Sequence, residues 1–480
     1  MNPTTQIFFA STLYGVMNLS AAIDSDQFGG TDRDQLAGRD RVRRILLISN
    51  NALLPEASAS AAEMPGFELL AKRFDRVISY NEAIEPFHPS SWNPRPIDSP
   101  LWQRYLRQHW DLGDDDLHLI VESIQVNPAQ TICRIFPDAR IDVYADGLMS
   151  YGPTRNPLEP LIGSRIERLF YADLVPGLTP MLLSEWDATP TVIDTRSIKR
   201  VIAELSDSAP EVLPEGLTDG PVVILLGQYL SALGIISPAE EEDLHRQMLL
   251  GAISRGHRRV IFKPHPSAPR ELADTLRAEA GRRGVDFWVL IDSSLAETFY
   301  ARLQVEAVIG CFSTAMITAA RFYRIPVFRT GTELMLDRLT PYHNSNRIPV
   351  TVVDATVPPV QLPQSEDSPP EDPRTRRSAV INIVDLVGAV GYVMQPALYQ
   401  DHRPAVIDFL GRHYPDVARY FRRQRLGKLE LPGGTPVGGR LRRISGRARV
   451  RLRRMLSGRR SAGPGRRRLP RPARRSPVQE

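Results

Sequence analysis

Cysteine is nearly missing from this chain: 480 residues hold two, Cys133 and Cys311. A disulfide framework is therefore excluded, and a reducing compartment is the default expectation. Long hydrophobic runs are missing too. The most apolar early segment, Ile7 to Ile23, has no basic stretch ahead of it and contains a break at Tyr14-Gly15, so it reads as strand plus helix rather than signal or anchor. A second run, Ala379 to Met394, is too short to span a bilayer and carries Asp385. Dense carboxylate clusters are also scarce. The acid run Asp114-Asp115-Asp116 precedes a strand instead of ending one, and reads as solvated surface with no metal expected.

What is present is ordinary in amount and uneven in placement. Apolar residues make up 42% and charged residues 24%, a soluble composition long enough for two or three domains. Residues 421–480 hold 20 Lys+Arg against Glu430 and Glu480, a net +18. The whole chain is only +5, so the remaining residues sum to −13. An acidic body carries a strongly basic tail. Within that tail Leu441, Ile444, Ala448, Leu452 and Met455 recur at helical spacing among arginines, the pattern of a basic amphipathic helix.

Along the body, short apolar runs alternate with helical patterns. Strands are expected at Gln6 to Thr12, Arg44 to Ser49, Arg76 to Tyr80, Leu117 to Glu122 and Arg140 to Tyr144, with helices between them. A second series begins at Pro221 to Leu226 and continues with Arg259 to Phe262, Val285 to Leu290, Val305 to Gly310 and Pro326 to Arg329. Ser237-Pro238-Ala239-Glu240 is a capping box with proline at the first helical position. Ser294, with Glu297 three residues on, has the same form. Such β/α alternation predicts parallel, helix-covered sheets, here two Rossmann-like halves facing one another. The division expected is residues 1–205, a linker 206–220, a second half 221–356, an acidic Pro-rich stretch 357–377, helices in 378–425 that pack across both halves, and the tail 426–480.

Three strand ends could carry chemistry. RRVIFKPHP, Arg258 to Pro266, stops an apolar run on Lys263-Pro264-His265-Pro266. Proline cannot donate to a sheet, so the strand ends there and leaves lysine and histidine as a cationic spot at the carboxyl edge, where open α/β sheets bind ligands. Tyr144-Ala145-Asp146-Gly147 puts a carboxylate just past a strand, beside a glycine that admits close approach. An Asx turn is the bland alternative. Asp142 and Tyr144 share the face of Asp146, which makes Asp142 a rival base. Gly310-Cys311-Phe312-Ser313-Thr314 passes from strand to helix through two hydroxyls, either a plain N-cap or a phosphate seat at a helix N-terminus. Gly227-Gln228 ends the first strand of the second half. A further pair, His88-Pro89, lies in a Pro-rich loop and is read as loop structure or as an acceptor contact.

Taken in this order, an acid-Gly element, a His-Pro pair and a Ser-Thr pair resemble the bacterial GT-B sialyltransferases, most closely the α-2,8-polysialyltransferase-like family. The resemblance covers most of residues 6–350 and includes RFDRVISYNEAI, LIVESIQVNP, VYADGLMSYGPTR and FKPHPSAP. It implies a GT-B fold and inverting transfer of sialic acid, or a related nonulosonic acid, from CMP-sialic acid to a glycan, without a metal or other cofactor. It further implies Asp146 as general base, His265 as the acid that protonates the departing CMP phosphate, and Ser313 with Thr314 as the holders of that phosphate. Lys263, Pro266, Gly227, Gln228 and Gly147 would line the donor side. The family usually has two acids before the glycine, and the first position here is Ala145. Asp146, Asp142 or Glu122 is then left to act as base. A CDP-glycerol or CDP-ribitol polymer transferase is the nearest enzymatic rival. A non-catalytic membrane or nucleic-acid adaptor with a lost site is the rival of another class. The expected setting is cytoplasmic, with the tail on an anionic inner membrane face rather than on nucleic acid.

Overall fold

The computed structural model describes residues 3–29, 42–145, 147–208, 213–264, 271–290, 294–362 and 381–435. Asp146, His265 and Pro266, most of the acidic stretch after 362 and the tail from 436 lie outside the described residues.

Two all-parallel sheets form. The first has seven strands: β1 (Thr4–Ala10), β2 (Arg43–Ile48), β3 (Arg76–Ser79), β4 (Asp116–Val121), β5 (Arg140–Ala145), β6 (Ile166–Tyr171) and β7 (Thr189–Val192). Their order is β3-β2-β1-β4-β5-β6-β7. The second holds β8 (Val222–Leu226), β9 (Arg259–Lys263), β10 (Asp286–Val289), β11 (Val305–Gly310) and β12 (Val327–Arg329), in the order β10-β9-β8-β11-β12. In both, the first strand lies inside the sheet and the order reverses beside it, between β1 and β4 and between β8 and β11. A ligand crevice opens outside the carboxyl ends of the strands at such a switch point. The strands read as continuous apolar runs because helices cover both faces: β8 is buried at every position, and β2 and β4 after their first residues.

Strands β6 and β7 and the helix Thr195–Ser208 fall where the alternation is faint in the sequence. β7 (TPTV) is an edge strand with no buried residue, and without an apolar run it leaves little periodic trace. The helix takes in the start of the expected linker. Ser206 is buried in it and donates to the Ile202 carbonyl at 2.8 Å, with the Thr298 carbonyl of the second half 3.1 Å away. The Ser237 capping box is present, with both reciprocal hydrogen bonds and Pro238 in the first turn of Pro238–Ser254. Ser294 does not cap; Leu295 precedes the helix Ala296–Arg302 without a side-chain bond. The strand-plus-helix reading of Ile7 to Ile23 holds: β1 ends at Ala10 and the helix Leu13–Asp24 runs through Gly15. A Cβ on Gly15 would sit 2.9 Å from the Tyr144 hydroxyl oxygen, so glycine there lets the helix lie against the strand ends. The last expected helix is divided into Arg403–Val417 and Arg423–Lys428, the first carrying Pro415 inside it.

One continuous core joins a face of the first sheet, the whole second sheet and the C-terminal helices, and a separate core fills the other face of the first sheet. The C-terminal helices connect the halves. In Ile383–Met394, a Cβ on Gly391 would meet the Met181 sulfur of the first half at 2.5 Å. The same helix packs on Arg347–Thr356 of the second half. Tyr420 donates to Asp354 at 2.8 Å, beside the Asp354–Arg329 pair at 3.0 Å. No helix among the described residues is long and apolar enough to cross a membrane.

Candidate active site

The site is built where the carboxyl ends of the two sheets approach each other. Gly147, just past β5, approaches Thr314, just past β11: a Cβ on Gly147 would lie 2.6 Å from Thr314 Oγ1. The Leu148 backbone N–H donates to that oxygen at 3.4 Å. Gly147 has an extended backbone, φ 168, that any residue adopts, so close approach is what calls for glycine here. Arg321 reaches back to Asp173 at 3.1 Å nearby. Gly147 and Thr314, 167 positions apart in sequence, thus lie against each other, one from each half. Ser313 caps the helix Thr314–Thr318 through an acceptor bond from Ala315 N at 3.3 Å, leaving its hydroxyl proton free to donate elsewhere.

Lys263 closes β9 with its side chain almost buried, Nζ 3.5 Å from the Leu290 carbonyl. Next to it the Gly227 N–H donates to the Lys263 carbonyl at 2.9 Å. A Cβ on Gly227 would meet Pro264 Cα at 2.9 Å, so this glycine lets the β8 loop lie against the turn that leads to His265. Gln228 is buried, and its backbone N–H is taken by His245 Nε2 at 2.9 Å. That N–H is therefore not available to a ligand.

That clamp was not foreseen. His245 and Glu241 project from Pro238–Ser254, one turn apart, under the loop after β8. Glu241 accepts from Leu230 N at 2.6 Å and from Ser231 N at 3.2 Å. Burial pushes the His245 imidazole down to about 4, so it stays neutral and serves as an acceptor. The available signal was a histidine one turn from an acid on an otherwise apolar helix face.

The two alternative bases are both occupied. Asp142 lies mid-strand, wholly buried, with His118 Nε2 at 2.8 Å and Arg168 Nη2 at 2.5 Å on Oδ2. Burial alone would raise its pKa, but the hydrogen bonds from His118 and Arg168 outweigh it and hold the carboxyl below its ordinary range. It braces β4, β5 and β6, and its carboxylate has no exposure to solvent. Glu122 stands at the β1–β4 switch point, almost buried. Ser11 N donates to Oε1 at 2.8 Å, Ser11 Oγ bonds the same oxygen, and the Tyr144 hydroxyl lies 2.9 Å from Oε2. It ties three strand ends together.

Beside Ala145 a cavity of about 170 Å³ opens, lined by Tyr144, Gln125 and Arg155 of the first half, Ser345 of the second and Met394 of the C-terminal helices. The smaller alanine leaves room where a longer acid would project. His88 is held in its loop: Nε2 lies 2.8 Å from the Ala52 carbonyl, and Nδ1 accepts from Ser90 N at 3.2 Å. Among the described residues no cluster of three His, Cys, Asp or Glu could hold a metal ion.

Residues 6–332 match the alpha-2,8-polysialyltransferase family (POLYST). The chain belongs to the alpha-2,8-polysialyltransferase family. It is a glycosyltransferase built of two Rossmann-like halves, each around a parallel sheet. Among solved structures it is similar to the GT-B domain of the Photobacterium damselae sialyltransferase, residues 113–497, at 11% identity and TM-score 0.37, covering 73% of this chain and 96% of that one. Acinetobacter baumannii MurG is similar at 10% identity and TM-score 0.38, with 82% and 95% covered. A Thermobaculum terrenum O-GlcNAc transferase mutant gives 14% identity and TM-score 0.33, and this chain spans 52% of its length. No curated protein matches the sequence.

Proposed function

We propose that this polysialyltransferase-family chain moves sialic acid, or a related nonulosonic acid, from its CMP-activated form to a glycan, with inversion and without a metal. The observation that carries the reading is the contact of Gly147 and Leu148 with Thr314, which brings the element next to Asp146 against the hydroxyl pair proposed to hold the donor phosphate. Asp146 is assigned as base. It directly follows Ala145, which lines the small cavity, and the occupied state of Asp142 and Glu122 supports it over both.

In the reaction the Asp146 carboxylate takes the proton of an acceptor hydroxyl, the oxygen attacks the anomeric carbon, and the bond to CMP oxygen breaks. The donor carries its own carboxylate next to that carbon, so the transition state resembles an oxocarbenium ion and leaving-group stabilisation dominates. The departing phosphate has a second pKa of about 6. Histidine's ordinary ~6.5 is well matched to it, which suits His265 as proton donor. Lys263, buried at the foot of the same turn, supplies fixed positive charge, and Ser313 and Thr314 supply hydroxyl donors. Arg155 in the cavity beside Ala145 is assigned to the acceptor. The tail is assigned to an anionic membrane surface at the cytoplasmic face.

The test is a donor panel with the full chain: CMP-sialic acid, CDP-glycerol and CDP-ribitol, each with a sialylated acceptor, followed by free CMP and product mass. Transfer of a nonulosonic acid is expected. CMP release from the CDP-polyols alone would replace this reading by the polymer-transferase one.

A further inference from the structure

A larger hollow lies at the carboxyl ends of the edge strand β3 and its neighbour β2. It is a groove of about 770 Å³ between the loops following the two strands. Its walls are braced from within. Asn50 donates to the Pro55 and Ser58 carbonyls at 3.0 and 2.8 Å, Asn81 donates to the Asn50 carbonyl at 3.0 Å, and His88 bonds the Ala52 carbonyl. Inside it, Leu53, Leu54, Val77 and Phe87 are 90%, 62%, 39% and 51% exposed, although each has the size of a core residue. An apolar concentration of this kind marks a docking surface. Its rim is charged with one sign. Glu56, Glu63, Glu82 and Glu85 line it, and no lysine or arginine does. A polyanionic glycan is repelled from such a rim.

The chain supplies a complementary segment. Residues 441–455 hold seven arginines and no acid, and Leu441, Ile444, Ala448, Leu452 and Met455 recur at the spacing that puts anchors on one side of a helix. We propose that this segment of the same chain docks in the groove, apolar anchors on Leu53, Leu54, Val77 and Phe87, arginines against the glutamates. The tail then has two competing anionic seats, this groove and the lipid surface assigned to it above. This docking rests on the charge and shape of the groove and stands whether or not the donor is CMP-sialic acid.

A photo-crosslinking amino acid at Leu53 in the full-length protein tests it. Crosslinked peptides from residues 441–455 are expected, and the yield should fall at least fivefold with Glu56→Lys, Glu82→Lys and Glu85→Lys combined, all three being exposed positions that leave the fold intact. Equal yield in the charge-reversed protein, or no crosslink to any residue after 435, overturns the docking. Mixing isotope-labelled and unlabelled protein adds a second check: mixed-mass products as the dominant species overturn docking within one chain and identify the tail of a second copy as the occupant.

Discussion

The Thr314 hydroxyl oxygen accepts from the Leu148 backbone N–H at 3.4 Å, joining the loop after β5 in the first half to the strand-helix turn after β11 in the second. This pairing leaves no room for a side chain on Gly147. Thr314 is β-branched and stiff at χ1, so it cannot simply swing aside.

Gly147→Ala is therefore expected to hold the halves apart. Relief of a 2.6 Å contact of this kind costs about 1–3 kcal/mol, or ~10–100-fold in kcat/KM, with little change in Tm. Steady-state kinetics and thermal melts check it, and a Gly147→Ala, Thr314→Ala double-mutant cycle should show non-additive coupling. Unchanged kcat/KM in Gly147→Ala means the contact is not part of the working state.

Asp146→Asn and His265→Ala should each lower CMP release with a sialylated acceptor by ~10²–10³, the range for loss of one transition-state donor or acceptor. Folded amount, followed by circular dichroism, should not change. Turnover equal to the parent in either variant takes that residue out of its assigned role.

Asp142 should behave in the opposite way. Removing one partner of a buried charge network strands the others, so Asp142→Ala is expected to lose about 3–5 kcal/mol of stability while turnover per folded molecule stays near that of the parent. Urea unfolding alongside CMP release measures both. Loss of turnover without loss of stability would restore Asp142 as a base.

Two buried groups set opposing pH slopes. His245 is pushed down to about 4, so the unfolded chain takes up its proton first as pH falls below ~6.5. Its contribution is whole above ~6.5 and is lost toward pH 4, about 3 kcal/mol in all. Glu297, buried beside Tyr300 and Tyr323, is pushed up to about 7. Its contribution is whole below its ordinary range and is lost as pH rises through about 7, again about 3 kcal/mol. Between about 4.5 and 6.5 the two cancel. Relative to the parent, His245→Gln, which keeps an acceptor for Gln228 N, should tilt stability downward with rising pH. Glu297→Gln should tilt it upward. Urea midpoints across pH 4.5 to 7 that run parallel in all three proteins refute the assignment.

Much of the fold was legible because the strands are buried on both faces, and burial writes itself as runs such as RILLI and VVILL bounded by polar and proline residues. β7 was not legible: an exposed edge strand needs no apolar run, and TPTV is paired only because β6 lies beside it. The reason for glycine at position 15 was not legible either, on related grounds. Glycine in the Leu13–Asp24 helix answers to Tyr144 and Glu122, both more than 100 residues away in sequence.

The parallel α/β class, the three strand-end elements and the family can be read from the chain before it folds, because each is written in consecutive residues. Which carboxylates are spoken for emerges only once distant strands come together. Asp142 and Glu122 differ from a reactive acid by their neighbours: His118 and Arg168 around one, Ser11 and Tyr144 around the other. Partners that arrive from separate strands leave no local pattern, and it is they that set a carboxylate's solvation, its free lone pairs and its reach.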